Sequence, residues 1–238
     1  MQHRLVAREA AAGGLGLSIV AAVALAWAGL GFASLSGLGA WFGHGHLIEG
    51  GLSMPVVILS FLGGWLVMLV AMMLPTLHRG RVSAAFVVGF LWTWTAFGLA
   101  ALFFDASIHW SVDHSSWLRV HMWVIQAGLL AAAGGYQVSS VKRYFLRRCF
   151  VPLPPGGMGE GVLAGGLSVG CCWALMLTAF AAGMTQLGWM LGLTLAMVAE
   201  REPRRSDNLA RLVGIVFLAL AAGLCVASLL GSPALFGA

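Results

Sequence analysis

Long apolar stretches, separated by short polar and basic segments, run along almost the whole chain. A helix needs about 20 mostly apolar residues to cross the hydrocarbon core of a bilayer. The pattern therefore predicts an all-α, polytopic integral membrane bundle of about seven transmembrane helices, at residues 15–38, 52–74, 82–104, 118–140, 160–182, 186–200 and 210–231. The sixth segment is the shortest and fits either a tilted span or a re-entrant segment. We expect residues 1–238 to form a single transmembrane domain.

The basic residues support this order of spans. With the N-terminus inside and the C-terminus outside, all thirteen lysine and arginine residues except Arg119 fall on the inner side. Such an excess is the usual sign of cytoplasmic loops. We therefore expect a multi-pass protein of the cytoplasmic membrane. The net charge of +5 is then a topology signal, so the expected partner is the lipid bilayer and not nucleic acid.

Composition agrees with this class of protein. Hydrophobic residues make up 60% of the chain and charged residues only 9%, whereas about a quarter of a soluble domain is charged. The mean hydropathy is +0.93. Three of the four cysteines lie in apolar segments, and their spacing does not fit the disulfide framework of a secreted protein. The cysteines therefore call for another explanation.

Soft metal ligands recur inside two predicted spans. Cys171 and Cys172 lie near the middle of the fifth span, with Met176 one helical turn beyond Cys172, and methionines follow Trp65 at helical spacing in the second span. Thiolates and thioethers favour Cu(I), and the chain has too few well-placed cysteines for an iron–sulfur cluster. The alternative is that these side chains are apolar filler. The candidate ligands of a copper ion are Cys171, Cys172, Met176, Met68, Met72 and Met73.

Histidines gather in the segments expected on the outer side. His44 and His46 precede Glu49, and His109 and His114 lie in a second segment that also carries acidic residues. Imidazole and carboxylate groups together bind Cu(II) or Zn(II), so these four histidines are candidates for collecting a metal. The alternative is an ordinary interfacial loop beside a belt of aromatic residues.

Polar residues inside the predicted spans are costly in lipid unless they are paired. We therefore expect Gln126, Gln137 and Gln186 to face the interior of the bundle. Glu160 and Glu200 lie at the inner ends of their spans, where we expect them at the membrane interface. Small residues let helices approach closely in lipid, and glycines four residues apart predict such packing for the fifth and sixth spans. These glycines are Gly161, Gly165, Gly166, Gly170, Gly188 and Gly192.

Four stretches of the sequence resemble a bacterial family described as predicted metal-binding integral membrane proteins of unknown function. They are WLVMLVAMMLP, GGYQVSSVKRYFLRRC, GCCWALM and GMTQLGWMLGLTLAMVAER, and the resemblance covers about residues 60–215. It implies binding of copper or another heavy metal. The residues that it implicates are Met68, Met72, Met73, Pro75, Tyr136, Gln137, Lys142, Cys149, Cys171, Cys172, Trp173 and Met176.

The chain departs from that family at three positions. Phe145 and Ser168 stand where members often carry cysteine, and Ser140 stands where proline is usual. Ser168 could supply only a weak oxygen ligand, and Phe145 could supply none. The resemblance therefore implies fewer thiol ligands here than in such members.

These features predict a protein that handles or transports a soft metal. We expect Cu(I) to be held near the middle of the membrane by Cys171, Cys172 and Met176, and then passed to methionines of the second span toward the cytoplasm. A metallochaperone or other members of a membrane complex are the implied partners. The alternative is a structural or assembly subunit of a larger membrane complex, with no metal of its own. No acid–base pair or nucleotide-binding motif indicates an enzyme, and no catalytic residue is assigned.

Overall fold

The computed structural model describes residues 2–36, 53–77, 83–150, 156–183 and 186–230. Within these ranges the secondary structure is entirely helical, which confirms the all-α prediction. The nine α-helices are α1 (Gln2–Leu35), α2 (Met54–Met73), α3 (Ala84–His114), α4 (Ser116–Val120), α5 (Met122–Val138), α6 (Ser140–Cys149), α7 (Met158–Ala182), α8 (Leu187–Glu200) and α9 (Ser206–Leu229). Helix α2 ends at Met73, and a 3-10 turn (Leu74–Leu77) that contains Pro75 follows it.

Five helical segments in the described ranges are long and apolar enough to cross a membrane. They are Leu17–Leu35, Met54–Leu77, Ala84–His114, Met158–Ala182 and Ser206–Leu229. The chain is thus a multi-pass membrane protein. The other two predicted spans are shorter, because α5 has 17 residues and α8 has 14. The number of seven spans and their orientation stay predictions.

The predicted fourth span, 118–140, is not one continuous helix. It is divided among α4, α5 and the start of α6, and α3 continues to His114 instead of ending at residue 104. The break between α5 and α6 lies at Ser139, whose backbone is extended (φ −71°, ψ 158°). Its hydroxyl accepts a hydrogen bond of 3.1 Å from the Lys142 amide, which caps α6. Ser140 is the first residue of α6, the helix position that best accepts proline.

Glycines join α3 to α7 along one of the most extensive helix contacts of the bundle. Gly89 of α3 lies against the Met158 carbonyl, and Gly161 of α7 lies against the Phe86 carbonyl, so neither position has room for a Cβ atom. Gly165 packs in the same way against Thr93. The predicted close packing is therefore confirmed for Gly161 and Gly165.

The sixth predicted span also packs in the bundle, but not through its two spaced glycines. Among the described residues, no atom of another element lies within 4 Å of the Cβ position of Gly188 or Gly192. Helix α8 instead packs through its other face, where Met190, Thr194 and Met197 are buried. Large side chains at helical spacing, and not small ones, define the packed face of this helix.

Aromatic rings join α2 to α3 and α7. Phe180 of α7 meets Phe61 and Trp65 of α2 edge to face, with ring centroids 5.6 and 6.0 Å apart. The Trp65 indole donates a hydrogen bond of 3.0 Å to the Trp94 carbonyl of α3. The second and fifth predicted spans, which carry the candidate ligands, are thus neighbours in the core.

We expect Gly161→Ala to destabilise the protein, because its new methyl group would collide with the backbone of α3. Overpacking of this kind costs about 1–3 kcal/mol. The matched control is Gly166→Ala on the same helix, where nothing lies within 4 Å of the added carbon. Thermal unfolding in detergent micelles measures the difference. Equal melting temperatures for the two variants would contradict the packing described here.

Candidate metal centre

Three cysteine thiols from two helices lie together in the core. Cys171 and Cys172, near the middle of α7, are each only 1% exposed. Cys149, at the end of α6, donates its thiol to the Leu167 carbonyl of α7 at 3.4 Å. Its thiol also interacts with that of Cys171, which in turn interacts with Cys172. We call Cys149, Cys171 and Cys172 the thiol cluster.

Helix α6 reaches the thiol cluster because a glycine leaves room for it. The Phe145 ring of α6 packs directly on Gly170 of α7, where a Cβ atom would overlap the ring. On the other side of the break, the Tyr136 hydroxyl donates to the Gly170 carbonyl, and its ring meets Trp173 edge to face at 4.9 Å. Residues on both sides of Ser139 thus hold α6 against the cysteine-bearing part of α7.

A buried ion pair lies beside the thiol cluster. The Lys142 ammonium is 2.6 Å from Oε2 of Glu200 and donates a second hydrogen bond, of 2.7 Å, to the Cys171 carbonyl. The Gln137 amide donates to Oε1 of Glu200 at 2.8 Å. Lys142 and Glu200 are both 0% exposed. This network ties α5, α6, α7 and α8 together at one point.

The expected interfacial position of Glu200 is therefore wrong. Its carboxylate points into the bundle because Lys142 and Gln137 satisfy both of its oxygen atoms there. Of the three glutamines expected inside, Gln137 is buried and Gln126 is half-buried, whereas Gln186 is exposed at the start of α8. Because Gln186 precedes the first turn of α8, its side-chain amide faces outward.

A second cation approaches the thiol cluster from the end of α8. The Arg201 guanidinium donates a hydrogen bond of 3.1 Å to the Ser168 hydroxyl and also interacts with the Cys172 thiol. Because Ser168 lies one helical turn before Cys172, both contacts fall on the same face of α7. The guanidinium is thus positioned to compensate negative charge on Cys172.

The pKa values of the groups outside the spans follow from this arrangement. Burial alone would lower the pKa of Lys142, but attraction by Cys171 and Glu200 outweighs burial, and the pKa is raised. The pKa of Arg201 is also raised, since attraction by Cys172 and Cys149 outweighs its burial. The interaction with the Cys171 thiol lowers the pKa of Cys149 against the opposing effect of burial. Both cations therefore stay charged beside thiols at neutral pH.

Methionines fill the core around the thiol cluster. The candidate residues Met68, Met72, Met73 and Met176 are all 0% exposed, and they belong to one continuous core that includes Cys171 and Cys172. Met190 and Met197 of α8 are equally buried there. The predicted methionine stripes therefore face the core, while their role as metal ligands stays a prediction.

Two of the histidines predicted on the outer side, His109 and His114, have partners on their own helix. His109 lies 3.8 Å from Asp105 on α3, and Nδ1 of His114 lies 2.8 Å from the Trp110 carbonyl of the same helix. His44 and His46 lie outside the described residues. In the described part of the chain, no three histidine, cysteine or acidic side chains are grouped so that they could hold a metal ion, and this applies to the three cysteines of the thiol cluster as well as to these histidines. Metal collection by these histidines stays a prediction.

These contacts define the class of protein: a multi-pass helical membrane protein that buries thiols and thioethers beside a lysine–glutamate ion pair. The sequence model of the family described as "PpoB2: Copper chaperone" matches residues 62–224, and the chain belongs to that family. The match agrees with the sequence-based expectation of a metal-related membrane family. A comparison with curated proteins and one with solved structures give no significant match.

Sequence reasoning missed the two charged residues that end α8. Glu200 follows Met197 by three residues, and Met197 follows Thr194 by three, so Glu200 continues the buried stripe of this helix. That spacing was the available signal. The position of Arg201 gave no such signal, because a basic residue after a span usually indicates a cytoplasmic loop.

We expect Lys142→Met to cost about 3–5 kcal/mol, because it leaves the Glu200 carboxylate buried without its counter-ion. The double variant Lys142→Met, Glu200→Gln removes both charges and should recover most of that loss. Arg147→Met is the matched control on α6, since Arg147 forms only an exposed ion pair with Asp207 at 3.5 Å, which is worth at most about 1 kcal/mol. Denaturant unfolding in mixed micelles measures all three. A double variant no more stable than Lys142→Met would refute the pairing.

Proposed function

We propose that this protein binds Cu(I) as cargo within its helical bundle, through the thiols of Cys171 and Cys172 with Cys149 beside them. The observation that carries the proposal is the buried pair Cys171 and Cys172 of α7, with the half-buried Cys149 of α6 interacting with Cys171. Membership of a copper chaperone family supports the same metal. The protein would then be a membrane-embedded carrier of copper, and not an enzyme.

The chemistry of the site favours Cu(I) over other metals. Thiolates and thioethers are soft ligands that select Cu(I), whereas Zn(II) favours four ligands from cysteine, histidine or carboxylate groups. Cu(I) bound by two thiolates is an anion, and a buried anion needs compensating charge. Arg201 contacts Cys172, and the Lys142 ammonium bonds to the Cys171 carbonyl. The guanidinium of Arg201 would stabilise the bound complex, whereas the charge of Lys142 is already paired with Glu200.

The positions at which the chain departs from the resembling family also lie at the thiol cluster. Phe145 packs on Gly170, next to Cys171. Ser168 and Cys172 both contact the guanidinium of Arg201. Cysteines at these two positions would add thiols to the same place. The departures therefore support the thiol cluster as the metal site, with fewer thiols in this chain.

The buried methionines provide neutral ligands for moving copper away from the thiols. Met176 lies one turn from Cys172, and Met68, Met72 and Met73 line α2 in the same core. A thioether carries no charge, so a chain of methionines avoids most of the cost of burying charge in lipid. We propose that copper passes from the thiol cluster to these methionines and on to a metallochaperone or a membrane-bound acceptor. The outer histidines would collect copper, and the protein would act in the bacterial inner membrane.

Copper stoichiometry tests the proposal. We expect the purified protein, loaded with Cu(I) and freed of excess metal, to retain copper that Cys171→Ser, Cys172→Ser loses. Removing both thiols should weaken affinity by more than about 100-fold, because even indirect partners of metal ligands contribute 10–100-fold. Cys225→Ser is the matched control, since Cys225 lies on α9 in a different part of the core. Equal copper in the double variant and the control would overturn the proposal and favour a structural subunit.

A second variant separates binding from transfer. Met72→Leu, Met73→Leu conserves volume, so the cost in stability should stay below about 1.5 kcal/mol for each substitution. We expect this variant to hold as much copper as the native protein but to release it more slowly to an external Cu(I) chelator. A stopped-flow measurement of chelator absorbance gives the release rate. An unchanged release rate would exclude these two methionines from the path.

A further inference from the structure

A groove of about 400 Å³ opens on the surface of the bundle at the end where α2 and α8 finish. Its walls come from α1, the 3-10 turn and the end of α8, and its lining residues are Ile19, Val20, Val23, Pro75, Thr76, Val198 and Arg201. The Trp27 indole donates a hydrogen bond of 3.1 Å to the Ala71 carbonyl, which holds α1 against α2 beside the groove. The volume is within the range of sites for small molecules.

Arg201 connects this groove to the thiol cluster. The same side chain that lines the groove bonds to the Ser168 hydroxyl at 3.1 Å and interacts with the Cys172 thiol. A ligand that enters the groove and reaches the guanidinium is thus one side chain away from Cys172. Among the described lining residues the others are aliphatic, proline or threonine, and Arg201 is the charged one, so an incoming ligand meets its guanidinium.

We propose that the groove is a second entry site for copper, at the end of the bundle predicted to face the cytoplasm and separate from the histidines predicted outside, and that it admits Cu(I) as an anionic complex with two small thiolates. This inference rests on the proposed function and adds the chemical form of the cargo. A guanidinium in apolar surroundings attracts an anion and repels a bare Cu(I) cation, because Coulomb forces are strong where water is excluded. The apolar walls suit the carbon atoms of the thiolate ligands.

Ligand exchange from such a complex balances without any other reactant. Two Cu–S bonds to the small thiolates break, and two Cu–S bonds to Cys171 and Cys172 form. The two cysteine protons move to the departing thiolates, which leave as neutral thiols. Copper stays Cu(I), and the complex carries one negative charge before and after the exchange. Arg201 therefore faces an anion at both stages.

The test compares loading rates from two forms of copper. The protein in nanodiscs of zwitterionic lipid receives Cu(I) either with excess glutathione, an anionic thiolate complex, or as the cationic acetonitrile complex. We expect the native protein to load faster from the anion, and Arg201→Gln to reduce the ratio of the two rates by about tenfold, as expected for loss of electrostatic steering. Arg201→Lys should retain the preference for the anion.

Blocking the groove gives an independent variant. Val198→Trp should fill the groove and slow loading from the anionic complex, with the same final copper content. Leu195→Trp on the same helix is the matched control, because Leu195 is 60% exposed and does not line the groove. Its loading rate should equal that of the native protein.

The outcomes separate this inference from the proposed function. A native protein that binds no copper in either form refutes the proposed function itself. A native protein that binds copper without preference for the anion, or a Val198→Trp variant that loads as fast as Leu195→Trp, overturns the entry site alone. If phospholipid headgroups occupy the groove instead, nanodiscs of anionic lipid should abolish the preference for the anionic copper complex. That result would also overturn the entry site.

Discussion

The ion pair between Lys142 and Glu200 is the contact on which the arrangement of the other helices depends. Both side chains are fully buried, and their charged atoms are 2.6 Å apart. A buried charge is tolerated only when it is paired and hydrogen-bonded, and here the Cys171 carbonyl and the Gln137 amide complete the pairing. Because these four residues belong to four helices, satisfying the pair fixes α5, α6, α7 and α8 together.

This constraint determines where the thiols lie. Lys142 can reach Glu200 only if α6 packs against the middle of α7, and the Phe145 ring fits there because position 170 is glycine. The same packing brings Cys149 of α6 to Cys171 of α7. Because Arg201 follows Glu200 in the chain, its side chain reaches Ser168 and Cys172. The ion pair thus organises a site whose thiols have cations beside them.

The sequence predicted those parts of the structure that depend on local patterns. Apolar runs indicated an all-α membrane protein, and helical spacing correctly predicted that Met68, Met72 and Met176 face the core. The break at Ser139 was not predictable from hydropathy, since it depends on a hydroxyl cap and on the anchoring of Lys142. The burial of Glu200 depends on a partner 58 residues away, and without that partner a carboxylate at a helix end belongs at the interface. The break therefore depends on a local cap that hydropathy does not register, and the burial of Glu200 depends on tertiary pairing, for which its spacing after Met197 was the local signal.

The central claim is that copper is bound by sulfur inside the bundle. X-ray absorption at the copper K-edge of the Cu(I)-loaded protein tests it most directly, because it reports both the oxidation state and the atoms in the first coordination shell. The account predicts Cu(I) with a shell of sulfur atoms only, in which Cys171→Ser, Cys172→Ser loses the thiolate contribution. A shell of nitrogen or oxygen atoms, or a spectrum unchanged by that double substitution, would contradict it.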